Sequence, residues 1–347
     1  MSQRVALKID VDTLRGTREG VPQLLRLLAR QRVDATFLFS LGPDHTGRAL
    51  KRIFRPGFFS KVVRTSVTRH YGWKTLCYGT LLPGPDIGRR EQATMRAVRD
   101  AGFEVGVHCF DHVLWQDHVR GRDPAWTRRQ MTLAVEAFDR VFHDKPPVHG
   151  AAGWQLNEFV PAIEAELGFH YASDTRGREP FLPVMGFARG SCPQLPTTLP
   201  TFDEIIGVDG CTEENVAHVL FRHSLAPAPA GHVFTLHAEL EGMRLLSAFD
   251  TLLQRWLDHG LQPCSLREIY RHLPSLPAAH EIHFEPIKGR SGELACQGRN
   301  VDALDQSEPR LGLDDQLHVL DGGVAVQRKG QIDMDDIAEP GARTGKP

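Results

Sequence analysis

The feature that most constrains the fold is a regular alternation of strand-like and helix-like segments from Val5 to His259. Some segments show the apolar period of an amphipathic helix, and others are short runs typical of buried strands. Because strands separated by helices pair in parallel, the pattern predicts an α/β fold with a mainly parallel sheet, open or closed as a barrel. The predicted strands are residues 5–11, 34–40, 103–107, a short strand before 151, 169–173 and 232–236. The predicted helices are residues 17–31, about 90–100, about 124–142, 157–167, 213–223 and 247–259.

The first predicted strand carries charged side chains on one of its two faces. Alternation places Lys8 and Asp10 together with Ala6, opposite the apolar residues of the strand, and Asp12 follows two residues after Asp10. The carboxyl ends of parallel strands are where such folds carry their chemistry. Paired acids at this place also cap helices or bind a nearby arginine, so the pair is a weak signal by itself.

Further candidate residues follow three later strands. His108 and His112 come after the third strand, and their spacing of four brings both imidazoles to one side of a helical turn. Asp174 and His237 end two other predicted strands. Two imidazoles and one carboxylate suit zinc or a similar divalent ion with a position left open for water. Each signal alone also fits an ordinary structural residue, but their convergence at strand ends predicts a metal hydrolase site.

These motifs resemble the motif series of the polysaccharide deacetylase (NodB-homology) family. The resemblance rests on Asp10-Val11-Asp12, on His108-x-x-x-His112 and on Leu236-His237. It is closer to one branch, the deformylases of undecaprenyl-phosphate-linked 4-deoxy-4-formamido-L-arabinose, and runs from about residue 4 to about residue 298. The longer runs that carry this closer resemblance are residues 9–22, 151–154, 173–177 and 237–242.

The resemblance implies a distorted (β/α) barrel of about seven strands and assigns roles to the candidate residues. It makes Asp10 the catalytic base and His237 the general acid. It implies one divalent metal ion, zinc or else manganese or cobalt, held by Asp12, His108 and His112. The family's usual Arg-Pro motif, which orients the base, is replaced here by Ala151-Ala152-Gly153-Trp154, a change that the deformylase branch shares. Arg176 is our candidate for orienting Asp10, and the other candidates for supporting or substrate-contacting residues are Asp174, Trp154 and Glu239.

A basic and aromatic insertion interrupts the alternation between residues 43 and 85. Its lysines and arginines are opposed by a single acid, Asp44, and are interleaved with aromatic and aliphatic residues. This mixture predicts a helical segment lying in an anionic membrane surface. The alternative is a solvated basic lobe whose aromatic residues pack on the main domain. The residues predicted to face the membrane are Arg52, Arg55, Phe58, Phe59, Lys61, Arg64 and Trp73.

Composition bounds the remaining expectations. The formal net charge of −2 gives no sign of nucleic-acid binding, and the six cysteines form no C-x-x-C pair, which favours free thiols. The amino terminus lacks an apolar leader, and no run of 18 apolar residues exists, so we expect a cytoplasmic protein with at most peripheral membrane contact. Residues 1–298 are predicted to form the catalytic domain, and the acidic residues 299–347 a flexible tail.

The expected function is hydrolysis of the formamide on the polyprenyl-phosphate sugar lipid, giving formate and the aminosugar lipid. The resemblance places this step on the cytoplasmic face of the bacterial inner membrane, in lipid A modification and resistance to cationic peptides such as polymyxin. One alternative is an N-deacetylase of another glycan or glycolipid, for which the insertion has no evident use. A second alternative is a non-catalytic protein that binds anionic lipid.

Overall fold

Strands and helices alternate along most of the chain, as the sequence predicts. The computed structural model describes residues 3–49, 75, 77–186, 188–273 and 277–305. The strands are β1 (Arg4–Val11), β2 (Thr36–Ser40), β3 (Glu104–Cys109), β4 (Val148–His149), β5 (Tyr171–Ala172), β6 (Leu182–Met185), β7 (Ala188–Arg189), β8 (His232–His237), β9 (Gln262–Cys264), β10 (Ala279–Pro286) and β11 (Glu293–Asn300). The α-helices are Val21–Gln31, Ile87–Arg90, Gln92–Asp100, His112–His118, Pro124–Phe142, Val160–Leu167, Phe202–Ile205, Val216–His223, Leu246–Asp258, Leu266–Arg271 and Asp302–Asp305.

The main sheet has seven parallel strands and curls into a distorted barrel, which confirms the predicted fold class. Its strand order is β5-β4-β3-β2-β1-β8, and β9 pairs with the first residues of β1. Between β5 and β8 the wall is completed by an irregular segment, residues 194–199. The Leu195 amide donates to the Ala172 carbonyl in β5 at 2.7 Å, and the Thr198 amide donates to the Val233 carbonyl in β8 at 3.0 Å.

The two faces of the sheet have different interiors. Between the sheet and its helices lies the larger apolar core, to which β1 contributes Val5, Leu7 and Ile9. The other face encloses a smaller cluster at the base of the barrel, to which β1 contributes Ala6. Since side chains alternate along a strand, Lys8 and Asp10 continue the row that Ala6 begins. The barrel interior therefore changes from apolar to charged towards the carboxyl ends of the strands.

Two π-helical turns follow the neighbouring strands β1 and β8 and pack against each other. They are Gly16–Gly20 and Leu240–Arg244, and the first precedes the helix Val21–Gln31 that the sequence predicts as beginning at Thr17. A Cβ atom at Gly20 would lie 2.1 Å from the Ala238 carbonyl oxygen, and one at Gly242 would lie 2.9 Å from the Gly20 Cα. Only glycine at these positions allows the two turns to approach so closely.

A second sheet of four strands was not predicted from the sequence. Its order is β11-β10-β6-β7, with β10 and β11 forming an antiparallel hairpin and β6 running parallel to β10. Strand β11 continues to Asn300, and Asp302 accepts a hydrogen bond from the Ala279 amide at 2.8 Å. The described secondary structure therefore continues past residue 298, where the catalytic domain was predicted to end. Residues 306–347 of the predicted tail lie outside the described residues.

The ends of the insertion meet at the carboxyl end of β2. Pro43 and Asp86 form an antiparallel bridge, and the Asp44 amide donates to the Pro85 carbonyl at 2.9 Å. The seven residues predicted to face a membrane, at 52, 55, 58, 59, 61, 64 and 73, lie outside the described residues. Among the helices in the described ranges, none combines the length and the apolar character needed to cross a bilayer.

Candidate active site

The carboxyl end of β1 brings two aspartates to the mouth of the barrel. Asp10 is buried, and its neighbour in register on β8 is His237. Within the described part of the chain, Asp10 Oδ1, Asp12 Oδ1 and His237 Nδ1 are buried and make no hydrogen bond. Buried polar atoms without partners cost free energy, and they are common where a ligand or ion completes the site.

Asp12, His108 and His112 form a group that can hold one ion. Their ligand atoms all lie within 4.8 Å of one another, with the His108 Nε2 3.3 Å from Asp12 Oδ1 and the His112 Nε2 3.5 Å from Asp12 Oδ2. The His108 Nδ1 is 2.6 Å from the Gly150 carbonyl oxygen, a contact in which the ring nitrogen donates and leaves Nε2 free for a metal. The donor set fits a divalent ion, as does the Asp12 Oδ1, which is buried and makes no hydrogen bond among the described residues.

The electrostatics of this group favour an ionised carboxylate. Burial by itself would raise the pKa of Asp12. The nearby imidazoles of His112, His108 and His237 outweigh burial, and they hold the pKa of Asp12 well below its ordinary range. Asp12 is therefore charged at neutral pH, as a metal ligand must be.

Two buried glutamates after β8 support the strand ends: Glu239 directly before the π-helical turn Leu240–Arg244, and Glu241 within it. One Glu239 carboxylate oxygen accepts from the Asp12 amide at 3.1 Å, the Thr13 amide at 2.9 Å and the Thr13 hydroxyl at 2.8 Å. Glu241 accepts from the His237 amide at 2.8 Å. Burial raises the pKa of Glu239 well above its usual value, with a further contribution from the charge of Asp12, and burial raises that of Glu241 to about 8.

Arg176 does not contact Asp10, which corrects our prediction. Its guanidinium donates to Glu204 Oε1 at 2.8 Å and to the Leu199 carbonyl at 3.0 Å. The cation beside Asp10 is Lys8, whose Nζ lies 3.5 Å from Asp10 Oδ2. The sequence contained a signal for this residue, because a lysine on the inward face of a buried strand requires a partner.

Trp154 is buried among three cations. Its ring lies 5.3 Å from the Lys8 Nζ, 5.2 Å from the Arg176 guanidinium carbon and 4.8 Å from that of Arg290, which comes from the β10–β11 hairpin. The Trp154 Nε1 donates to the Thr197 hydroxyl at 3.2 Å. Where an arginine was expected from the family pattern, the loop thus supplies an aromatic wall against which cations pack.

Asp174 belongs to a second histidine–carboxylate group, not to the group around Asp12. The His149 Nδ1 lies 2.6 Å from Glu164 Oε1 and 3.3 Å from Asp174 Oδ1. Asp174 also accepts from the Ala151 amide at 2.6 Å and from the Gln194 side chain at 3.0 Å. All three members are buried. Sequence reasoning did not identify His149 and Glu164 as partners of Asp174, because that pairing depends on the tertiary fold.

Comparison of this structure with solved structures finds a protein that shares the barrel fold. The chain matches a protein from Mycobacterium smegmatis described as a polysaccharide deacetylase, with a TM-score of 0.52, 18% identity, and coverage of 78% of this chain and 91% of that one. No family model matches the sequence. The structural likeness shows that the chain has the fold of the Mycobacterium smegmatis protein.

Sequence similarity to named proteins shows the family of the chain. The chain is 34% identical over 298 residues to a Shewanella sediminis protein named Probable 4-deoxy-4-formamido-L-arabinose-phosphoundecaprenol deformylase ArnD, covering 86% of this chain and 96% of the relative. It is 29% identical over 288 residues to the protein of the same name from Wigglesworthia glossinidia brevipalpis, covering 82% and 99%. The chain belongs to this family of deformylases.

Proposed function

We propose that the chain hydrolyses the formamide of undecaprenyl-phosphate-linked 4-deoxy-4-formamido-L-arabinose, releasing formate and the aminosugar lipid. The observation that carries the proposal is the convergence of Asp10, Asp12, His108, His112 and His237 at one end of the barrel, in a chain that belongs to a deformylase family. The same family membership supports a role in lipid A modification and resistance to cationic peptides such as polymyxin.

Asp12, His108 and His112 are the residues that would hold the divalent ion. When bound, such an ion supplies Lewis acidity for the amide carbonyl and for the attacking water. The three ligands accept zinc, manganese or cobalt, and the first assignment to test is zinc, because imidazole and carboxylate donors suit it. The hydrogen bond from His108 to Gly150 fixes the ring for this role.

Asp10 acts as the general base. It lies beside the metal-ligand group, with its Oδ1 buried and without a hydrogen-bond partner among the described residues. A carboxylate oxygen in this position accepts the proton of the water that attacks the formyl carbon. Since Asp10 is outside the group of ligand atoms, it keeps its lone pairs for the proton.

His237 acts as the general acid on the neighbouring strand. It pairs in register with Asp10, so its imidazole reaches the same reacting bond from the β8 side. An amide nitrogen is a poor leaving group unless it is protonated. His237 donates a proton to this nitrogen as the C–N bond breaks, and the products are formate and a free amine.

The insertion brings the enzyme to its lipid-borne substrate at the cytoplasmic face of the inner membrane. The basic and aromatic composition of residues 43–85 suits the surface of an anionic bilayer. At the described edge of this insertion the Leu81 side chain is 82% exposed, and Leu82 beside it is 39% exposed. Adjacent exposed leucines suit an apolar surface better than water.

The experiment is formate release from the formamido-arabinose lipid, presented in vesicles with or without anionic phosphatidylglycerol. We expect formate in both, at a higher rate in the anionic vesicles, and loss of activity with a chelator that added divalent metal restores. Equal rates in both kinds of vesicle would contradict only the proposed membrane role of the insertion and would leave the hydrolase activity standing. Acetate from an acetylated glycan in place of formate would assign the chain to the deacetylase alternative, and turnover of neither substrate would favour the lipid-binding alternative.

A further inference from the structure

Lys8 is a cation buried inside the barrel at the level of the active site. Its side chain is completely inaccessible to solvent. It lies two residues before Asp10 on β1, so both side chains project from the same face of the strand. Lysine is almost never fully buried unless it is paired, because removing its ammonium group from water is costly. A buried ammonium group at this position therefore requires partners that offset its charge.

The partners of Lys8 hold its ammonium group against Asp10. The Nζ donates to the Ser173 carbonyl at 2.8 Å, lies 3.5 Å from Asp10 Oδ2, and lies over the Trp154 ring. Gly150 packs closely beside it, since a Cβ atom there would lie 3.1 Å from the Lys8 Cε and 3.4 Å from the Nζ, in addition to 2.4 Å from the Leu38 Cδ1. Strands β1 and β5 and the loop after β4 thus converge on one ammonium group.

Asp10 has one other basic neighbour among the described ion pairs. This is the His108 Nδ1, at 3.8 Å from Asp10 Oδ1, but that nitrogen is engaged with the Gly150 carbonyl at 2.6 Å. Lys8 faces the opposite oxygen, Oδ2. The carboxylate therefore has one oxygen opposite a fixed cation, whereas the other, Oδ1, makes no hydrogen bond within the described part of the chain.

We propose that Lys8 is a positioning residue for the general base: its ammonium group fixes Asp10 Oδ2 and so presents Oδ1 to the attacking water. The inference rests on the proposed function, in which Asp10 is that base. Trp154 and Gly150 contribute by confining the ammonium group rather than by touching substrate. Lys8 contacts none of the three metal ligands, so its effect on metal binding is expected to be small.

The test is a comparison of Lys8→Met with Lys8→Arg in the full-length enzyme loaded with metal. Lys8→Met should lower kcat by about 100-fold, as expected for a misplaced catalytic group, and leave KM and the metal Kd within about twofold. Lys8→Arg should stay within about tenfold of the wild-type kcat because it keeps a positive charge beside Asp10. The matched control is Lys145→Met at an exposed lysine, which should behave as wild type.

Three results would overturn the inference: a Lys8→Met kcat within about threefold of the wild type, an equal loss in Lys8→Arg, or a parallel loss of metal affinity. If Lys8→Met does not fold, the variant combining it with Asp10→Asn decides. That double variant leaves no unpaired charge, so it should fold and bind metal. Its failure to fold would show that Lys8 acts on the barrel independently of Asp10.

Failure of this inference can be told apart from failure of the proposed function. Formate release by the wild type tests the function, and the ratio of variant to wild type tests the role of Lys8. An active wild type with an equally active Lys8→Met would reject only the role of Lys8. A wild type that releases no formate would reject the function, while the stability of the single and double variants would still measure the coupling of Lys8 to Asp10.

Discussion

Among the residues that the structure describes, the barrel contains two histidine–carboxylate groups whose members are close enough to bind a metal, and the two groups differ in how their polar atoms are satisfied. One consists of Asp12, His108 and His112, and the other of His149, Glu164 and Asp174. In the first, ring nitrogens face the carboxylate at 3.3 and 3.5 Å, and one carboxylate oxygen has no hydrogen-bond partner among the described residues. In the second, the ring nitrogen contacts Glu164 at 2.6 Å, and Gln194 and the Ala151 amide satisfy Asp174.

The difference teaches that the types of donor atom do not identify a metal site by themselves. The second group already balances its charges internally: burial would lower the pKa of His149, but Asp174 and Glu164 raise it to about 10. Burial would raise the pKa of Asp174, and His149 holds it well below its usual range. A protonated histidine cannot bind a metal. We therefore assign a structural role to the second group and a ligand role to the first.

The largest expected effect comes from removing a ligand in the first group. His108→Ala should abolish stoichiometric metal binding and lower kcat by at least about a thousandfold, since the ion contributes several kcal/mol to the reaction. Metal content by mass spectrometry and formate release are the measurements. His149→Gln, in contrast, should keep one metal ion per chain, and loss of metal from this variant would contradict the assignment.

The second-largest expected effect is a loss of protein stability when the second group, His149, Glu164 and Asp174, is disrupted. His149→Gln leaves the buried Asp174 carboxylate without its cation, and breaking such a pair costs about 3–5 kcal/mol. The thermal midpoint should fall by roughly 6 °C or more. The control is His170→Gln at an exposed histidine, expected to change stability by less than about 0.5 kcal/mol. Equal melting of the two variants would show that the buried network contributes nothing.

The smallest effect is on the pH dependence of stability. The folded-state pKa of His149, about 10, lies above its ordinary 6.5, so its contribution is complete below about pH 6.5 and is lost as pH rises towards 10. With chelator present, the urea midpoint of the wild type should fall over this window. His149→Gln should show a shallower fall over the same range. A wild-type midpoint that does not change between these pH values would contradict the sign of the shift.

The alternation of strands and helices and the positions of the charged strand ends could be predicted from the sequence pattern, whereas closure of the sheet into a barrel was implied by the family resemblance. Apolar periodicity separates strands from helices, and the helix Pro124–Phe142 coincides with its predicted bounds because Asp123 caps it and proline begins it. Asp10, Asp12, His108 and His112 were found because their spacing is local and parallel strands bring their ends together. The residue spacing and the positions of the strand ends can both be read from the sequence.

Long-range contacts could not be predicted in the same way. The Ser173 carbonyl that binds Lys8 and the Glu164 carboxylate beside His149 reach their partners only through tertiary packing. The second sheet joins β6 to β10, strands nearly 100 residues apart, and neither β10 nor β11 shows a clear alternation of buried and exposed residues. The prediction that Arg176 orients Asp10 was wrong. Its guanidinium is bound instead by Glu204, which lies on the helix Phe202–Ile205 after the barrel wall.

The bridge between Pro43 and Asp86 brings the two ends of the insertion together, so the length of chain between them has only a small effect on the stability of the barrel. The entropy lost on closing a loop grows only with the logarithm of its length, about 0.6 kcal/mol for each doubling. Asp44 and His45, next to the bridge, must be kept, because Asp44 accepts from the Leu14 amide at 3.0 Å and the His45 Nδ1 lies 2.6 Å from Asp111 Oδ2. Apart from such contacts, the excursion can lengthen or shorten by mutation while the catalytic end of the barrel stays intact. Selection can therefore change the contacts that the insertion makes with other molecules without changing the active site.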